Sequence, residues 1–202
     1  MKLNKGTVPV METKRLILRE TRISDSADMF EYASDPIIGK LAGWPPHKSE
    51  AYTKVVLKNF QNKKLFGQLG TVAVILKKSH KMIGTMELHS YTPKFKAELG
   101  YTISSDYWGN GYAVEASFMM LKWGFEKIGL KRIECNTYIS NFRSQKVCEK
   151  LHLVYEGIKK KGYMLYDGSI YDLKCYSITD DYYFSDEYQV YMKNIIEGDN
   201  NE

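Results

Sequence analysis

Polar and apolar positions change their period several times along the chain. Thr13 to Glu20 (TKRLILRE) alternates and predicts a first strand. Ser24 to Ser34 opens on a capping residue, carries acids in its first turn and stops before Asp35-Pro36, the pattern of a short helix. Leu41 to His47 (LAGWPPH) reads as a loop with an exposed tryptophan. Lys48 to Phe60 has helical spacing, with Tyr52, Val55, Val56 and Phe60 on one side. Gly70 to Lys77 and Lys81 to Leu88 are β-rich and joined by a short turn, a hairpin pattern. Ala97 to Ile103 (AELGYTI) predicts another strand.

The pattern then changes character. Ala113 to Ile128 is apolar almost all round, with Glu115, Lys122 and Glu126 as its one polar stripe, which predicts a helix buried against a sheet and ended by Gly129. Lys131 to Ile139 predicts a strand. Asn141 to Leu151 predicts a helix with Val147, Cys148 and Leu151 inward. Gly162 to Ile178 predicts a hairpin around Asp167-Gly168. The fold class is α/β (α+β): a mixed, mostly antiparallel twisted sheet flanked by helices. Without repeats or a low-complexity linker, one domain is expected over 1–202. Its core should span about 11–184, with a polar tail after about 185, weakly ordered beyond Ile196.

Composition narrows the function classes. The net charge is +5, and the one basic run, Lys159-Lys160-Lys161, fits a solvated turn better than a nucleic-acid patch; it could also meet a ligand's phosphates. Three cysteines, Cys135, Cys148 and Cys175, show no metal or disulfide spacing, and His47, His80, His89 and His152 form no ligand set. The start MKLNKGTVPVMETK has no apolar signal core and no run reaches membrane-span length, so a reduced, cytoplasmic protein without metal is expected.

The candidate chemistry lies in Tyr107 to Ala116 (YWGNGYAVEA), where Gly109 and Gly111 precede the buried helix. Glycines there suit a turn needing positive φ. They also let an anion approach the unpaired N–H groups of a helix start. Two glycines in this context point to a phosphate cradle. A P-loop is excluded because Tyr112 and Ala113 follow Gly111, and a dinucleotide fold fits poorly because Val114 holds its third glycine position.

With these residues the chain resembles the GNAT superfamily of acyl-CoA N-acyltransferases, and within it the RimJ/RimL-type branch of ribosomal-protein N-terminal acetyltransferases. Trp108-Gly109-Asn110-Gly111-Tyr112-Ala113 matches the cofactor signature except that Trp108 stands where Arg or Gln is usual. METKRLILRE, AELGY, NFRSQKVCEKL and DGSIYDLKCYSI resemble further segments of the branch in order, so the resemblance covers about residues 11 to 184. It departs at His152-Leu153, where the branch often has Gly-Phe. It departs again at Cys148, where many members carry the tyrosine that protonates the leaving thiolate.

The resemblance implies that acetyl-CoA binds where the strand ending at Ile103 splays from the next. Thr102, Ile103 and Ser104 would pair with the pantetheine arm. The N–H groups from Gly109 to Ala113 would hold the pyrophosphate, with Trp108 in the signature. Asn141 would hydrogen-bond the arm near the thioester, the Ile103 N–H would meet the developing oxyanion, and Ser144 would be the acid or partner of the thiolate. Glu98 is the candidate base, acting through a water, with Glu87 second. Trp44, His47, Tyr91 and Phe95 are candidate walls for the acceptor, with Glu87 beside them. The implied activity is transfer of acetyl to a protein N-terminal α-amine, whose reference pKa is about 7.7–8.0 against about 10.4 for lysine. A small-amine acetyltransferase and a non-catalytic acyl-CoA binder on the same fold are the alternatives. Ribosome association and a homodimer are further expectations.

Overall fold

The computed structural model describes residues 8–198. The chain runs β1 (Met11–Glu12), β2 (Leu16–Glu20), α1 (Ser26–Ala33), α2 (Pro36–Ala42), α3 (Glu50–Asn62), β3 (Thr71–Leu76), β4 (Lys81–Thr92), β5 (Lys96–Ile103), α4 (Tyr112–Lys122), β6 (Arg132–Tyr138), α5 (Phe142–Lys150), β7 (Val154–Met164), β8 (Ile170–Thr179), α6 (Asp180–Tyr183) and α7 (Asp186–Gly198). The strands form one mixed sheet in the order β1-β2-β3-β4-β5-β6-β8-β7. Neighbours are antiparallel except β5 and β6. This is the mixed α/β sheet flanked by helices that the sequence pattern predicts.

Alternation along the strands explains why both faces are covered. β3 sends Val72 and Val74 into the core under α4, and Ala73 and Ile75 into a second core under α1, α2 and α3. β2 does the same with Leu16 and Leu18 against Ile17. The helix after the glycines is buried as expected: Val114, Ala116, Met120 and Leu121 are buried, and a π-helical turn (Trp123–Ile128) carries it to Gly129, which is left-handed.

Four expectations need correction. α1 stops before Asp35-Pro36 as expected, but a second helix, α2, starts there and takes in Leu41 and Ala42, expected in a loop; Asp35 accepts a hydrogen bond from the Ile37 N–H and proline occupies the first turn, where its missing donor costs nothing. In α3, Val56 and Phe60 pack inward, but the stripe is centred on Thr53 and Leu57, and Tyr52 and Val55 face solvent. Glu115 does not belong to a solvated stripe; it is buried and fully engaged, as described below. The segment after 185, expected as a polar tail, folds as α7, whose Tyr188 and Met192 are fully buried, with Tyr188 against Tyr182 and Tyr183. Residues beyond Gly198, part of the stretch expected to be weakly ordered, lie outside the described residues.

Candidate active site

β5 and β6 pair only over Lys96–Glu98 and Arg132–Glu134. Beyond that point β5 stays with β4 and β6 stays with β8, so the two parallel strands part. The gap opens a cleft of about 1020 Å³ that runs through the sheet from α4 and α5 on one face to α2 and α3 on the other. This is ample for a nucleotide-sized ligand.

The edge of β5 supplies backbone groups to the cleft. The Ser104 N–H donates to the Ile83 carbonyl at 2.8 Å, so Ser104 faces β4. Antiparallel alternation places Thr102 the same way, opposite Thr85, and turns the N–H groups of Tyr101 and Ile103 toward the cleft. Of the three residues expected to meet an extended ligand, Ile103 is the one whose N–H is so placed. Its carbonyl is taken by the Trp108 indole N–H at 2.8 Å.

The glycine turn joins both candidate reasons for those residues. Gly109 and Gly111 have φ of 84° and 76°, a region where a side chain is strained. Gly111 is also the N-cap of α4, and among the described residues no side chain caps that helix start. Gly109, Gly111, Tyr112 and Ala113 line the cleft. Asn110 does not; its amide donates to the carbonyls of Tyr107 and Trp108 and braces the turn.

A network centred on the buried Glu115, which the sequence did not announce, fixes this turn. Arg15 donates to Glu115 (2.6 Å) and to the Asn110 carbonyl (3.0 Å), and its guanidinium lies 4.6 Å over the Tyr112 ring. Glu115 also accepts from the Thr13 hydroxyl and the Arg15 N–H. The turn between β1 and β2 thus clamps the start of α4.

At the start of α5 the expected roles separate. The Asn141 Oδ1 accepts the Ser144 N–H at 3.1 Å, so the asparagine is the helix cap. Ser144, lining the cleft, has its hydroxyl 2.8 Å from the Tyr101 hydroxyl. Cys148 is fully buried, its thiol 3.5 Å from that of Cys135. Burial pushes the Tyr101 phenol well above its ordinary pKa, with the two thiols adding to the shift. Arg143, Lys146 and Lys150 line the same side and have no ion-pair partner among the described residues; Arg143 lies 4.5 Å over Trp108.

On the opposite face, Glu98 lines the cleft with no side-chain hydrogen bond or ion pair among the described residues. Glu87 also lines it, but its carboxylate is held by Lys63 and by the Thr71 hydroxyl. Trp44 is on the wall, joined by Tyr138 and Tyr163. The Tyr163 hydroxyl approaches so close to Gly43 that a Cβ there would sit 2.7 Å from it. The other expected walls are elsewhere. His47 is buried on Thr53, and burial lowers its pKa. Phe95 lies in the β4–β5 turn, exposed. Tyr91 packs on the core, because the ladder shifts register after His89 and Ser90 takes φ of 50°, reversing the alternation. No cluster of His, Cys, Asp and Glu among the described residues could hold a metal, and no described helix is long and apolar enough to cross a membrane.

Residues 15–154 match the acetyltransferase (GNAT) domain family. The chain is 28% identical over 167 residues to the uncharacterized N-acetyltransferase p20 of Bacillus licheniformis, covering 82% of this chain and 93% of that one. Its structure is similar to a GNAT-family acetyltransferase of Bacillus anthracis, with TM-score 0.76 and 26% identity over 86% of this chain and 99% of that one. A ribosomal-protein-S5-alanine acetyltransferase of Vibrio fischeri has TM-score 0.69 and 26% identity over 86% and 98%. GNAT enzymes draw their acetyl group from acetyl-CoA. By the extent of that match and the cleft its residues line, the chain belongs to the GNAT family of N-acetyltransferases.

Proposed function

We propose that this protein moves the acetyl group of acetyl-CoA to the N-terminal α-amine of a protein or peptide, both substrates meeting in the cleft. The observation that carries the reading is the opening between β5 and β6, flanked by a helix start without a cap and by the free edge of β5. The N–H groups from Gly109 to Ala113 suit the pyrophosphate, since no side chain caps this helix start among the described residues. The Ile103 N–H, turned into the gap, suits the oxygen that gains charge as the amine attacks. The cations of Arg143, Lys146 and Lys150 line the donor side and favour a ligand with several phosphates.

Glu98 is the base in this reading. Glu87 is engaged by Lys63 and Thr71, whereas Glu98 is unpartnered. One carboxylate acting through water suits an α-amine, part of which is already neutral near pH 7, better than a lysine amine. The likeness to a ribosomal-protein acetyltransferase supports a peptide acceptor.

The test is acetyl transfer from acetyl-CoA to peptides with free N-termini, the same peptides with blocked N-termini, and a polyamine, with the acetyl located by mass spectrometry. Acetyl on the free α-amine alone is expected. Transfer only to the polyamine favours a small-amine enzyme, and tight binding without transfer to any amine favours a non-catalytic binder. Glu98→Gln should lower kcat/KM by about a hundredfold and remove the acid limb of its pH profile. An unchanged profile would remove Glu98 from the base role.

A further inference from the structure

Position 148, on α5, holds a buried thiol, yet a phenol comes close to it from β5. Tyr101 stands on the part of β5 that has left β6, and Ser144 stands on the first turn of α5. Their hydroxyls meet at 2.8 Å across the cleft, and both residues line it. Cys135 and Cys148 lie close enough to raise the phenol's pKa. We propose that Tyr101 is a positioning residue for the leaving sulfur: its O–H donates to the Ser144 Oγ, which leaves the serine proton free to point at the sulfur.

The chemistry follows from the order of acidity. A phenol is a better donor than an alcohol, so it gives its proton to the shared bond. With its lone pair engaged, the serine hydroxyl aims its own hydrogen elsewhere, and a donor that also accepts is polarised into a stronger one. The serine N–H is fixed on Asn141, so the pivot of this chain is rigid. Burial keeps the phenol neutral, so the donor persists through the neutral and mildly alkaline range. In the transfer step the amine nitrogen bonds to the acetyl carbon, the carbon–sulfur bond breaks, and sulfur leaves with the electron pair. The nitrogen gives up its extra proton to the base. The hydroxyl pair stabilises the departing thiolate without needing to give up a proton.

The inference rests on the donor site proposed above, and free coenzyme A tests it without an acceptor. Hydrogen bonds to a thiolate lower the pKa of the bound thiol, so coenzyme A should bind more tightly as pH rises toward the pKa of the free thiol. A desulfo analogue of coenzyme A, which has no thiol, should not. In the wild type the ratio of the two affinities should grow by roughly tenfold, one pKa unit. Tyr101→Phe should flatten most of that rise and Ser144→Ala all of it, with affinity for the desulfo analogue and thermal stability unchanged. Tyr101→Phe should also lower kcat with little change in KM for acetyl-CoA. A full rise kept by Tyr101→Phe, or an equal loss for both ligands, would overturn the assignment. Failure of the wild type to bind acetyl-CoA would instead overturn the proposed function and this inference with it.

Discussion

Two helices begin at the same cleft, and the chain treats their first turns in opposite ways. α5 starts on Asn141, whose side chain takes the Ser144 N–H. α4 starts on Gly111, which has no side chain to offer, and no side chain among the described residues caps it. Every helix start has unpaired N–H groups and a partial positive charge. At α5 the asparagine consumes part of this, and the cationic character of that side comes from Arg143, Lys146 and Lys150. At α4 the backbone N–H groups are left without a side-chain cap. In the proposed reading, a helix start becomes an anion site where a cap is withheld and the bare turn is held in place by other means. Here those means are Arg15 and Glu115, which clamp the turn from outside.

The largest effect should come from closing the bare end. Gly111→Glu puts a carboxylate where a pyrophosphate is proposed to lie. The lost helix-end attraction is up to about 2 kcal/mol, and close like-charge repulsion adds about 1 kcal/mol. Together they predict that acetyl-CoA affinity falls roughly a hundredfold or more by isothermal titration. Unchanged affinity would mean that the glycines only shape a turn, and the contrast between the two helix starts would lose its meaning.

The clamp comes next. Glu115→Ala strands the Thr13 hydroxyl, the Arg15 N–H and the Arg15 guanidinium, which now share one buried carboxylate. Arg15 is partly exposed and can recover water, so the cost should be about 2 kcal/mol rather than that of a fully buried pair. For a chain of this size that is roughly a 4–8 °C fall in Tm by thermal unfolding. Acetyl-CoA affinity should fall as well, but less than in Gly111→Glu, because Asn110 still braces the turn. A fall in Tm with no change in affinity would show that the bare end needs no clamp.

What the sequence disclosed of this site, and what it hid, follows from the range of each interaction. The glycines, the buried helix and the Asn141 start are local, and each leaves its mark within a few residues. So do the strands on either side of the gap. The Glu115 contact joins residues 100 positions apart, and Glu115 sits at helical spacing with Lys122 and Glu126, so period alone assigns it to solvent. The Tyr101–Ser144 bond spans 43 positions, and the alternation of β5 gives no hint that its tyrosine crosses a gap. Tyr91 escapes the alternation because one left-handed residue, Ser90, at the register shift turns it to the core face. α7 is hard to read because Val190, between the buried Tyr188 and Met192, faces solvent and the segment is otherwise rich in polar residues, though four residues apart is itself a helical spacing.

The smallest effect tests the capped end, and two variants divide what one asparagine does there. The Asn141 Oδ1 holds the Ser144 N–H, while its Nδ2 is proposed to reach the arm of the donor. Asn141→Ala removes both, so stability should fall by about 1 kcal/mol, the ordinary loss of a cap. KM for acetyl-CoA should rise only severalfold, as for one hydrogen bond. Asn141→Asp keeps an acceptor for Ser144 and suits the positive helix end, so stability should hold or rise by a few tenths of a kcal/mol. It loses the donor, so the rise in KM should remain. If both variants leave KM untouched, Asn141 is a cap alone and the arm is held by β5 and the bare turn of α4. If either lowers acetyl-CoA affinity as far as Gly111→Glu does, the capped end binds as strongly as the bare one, and withholding the cap is not what makes the site.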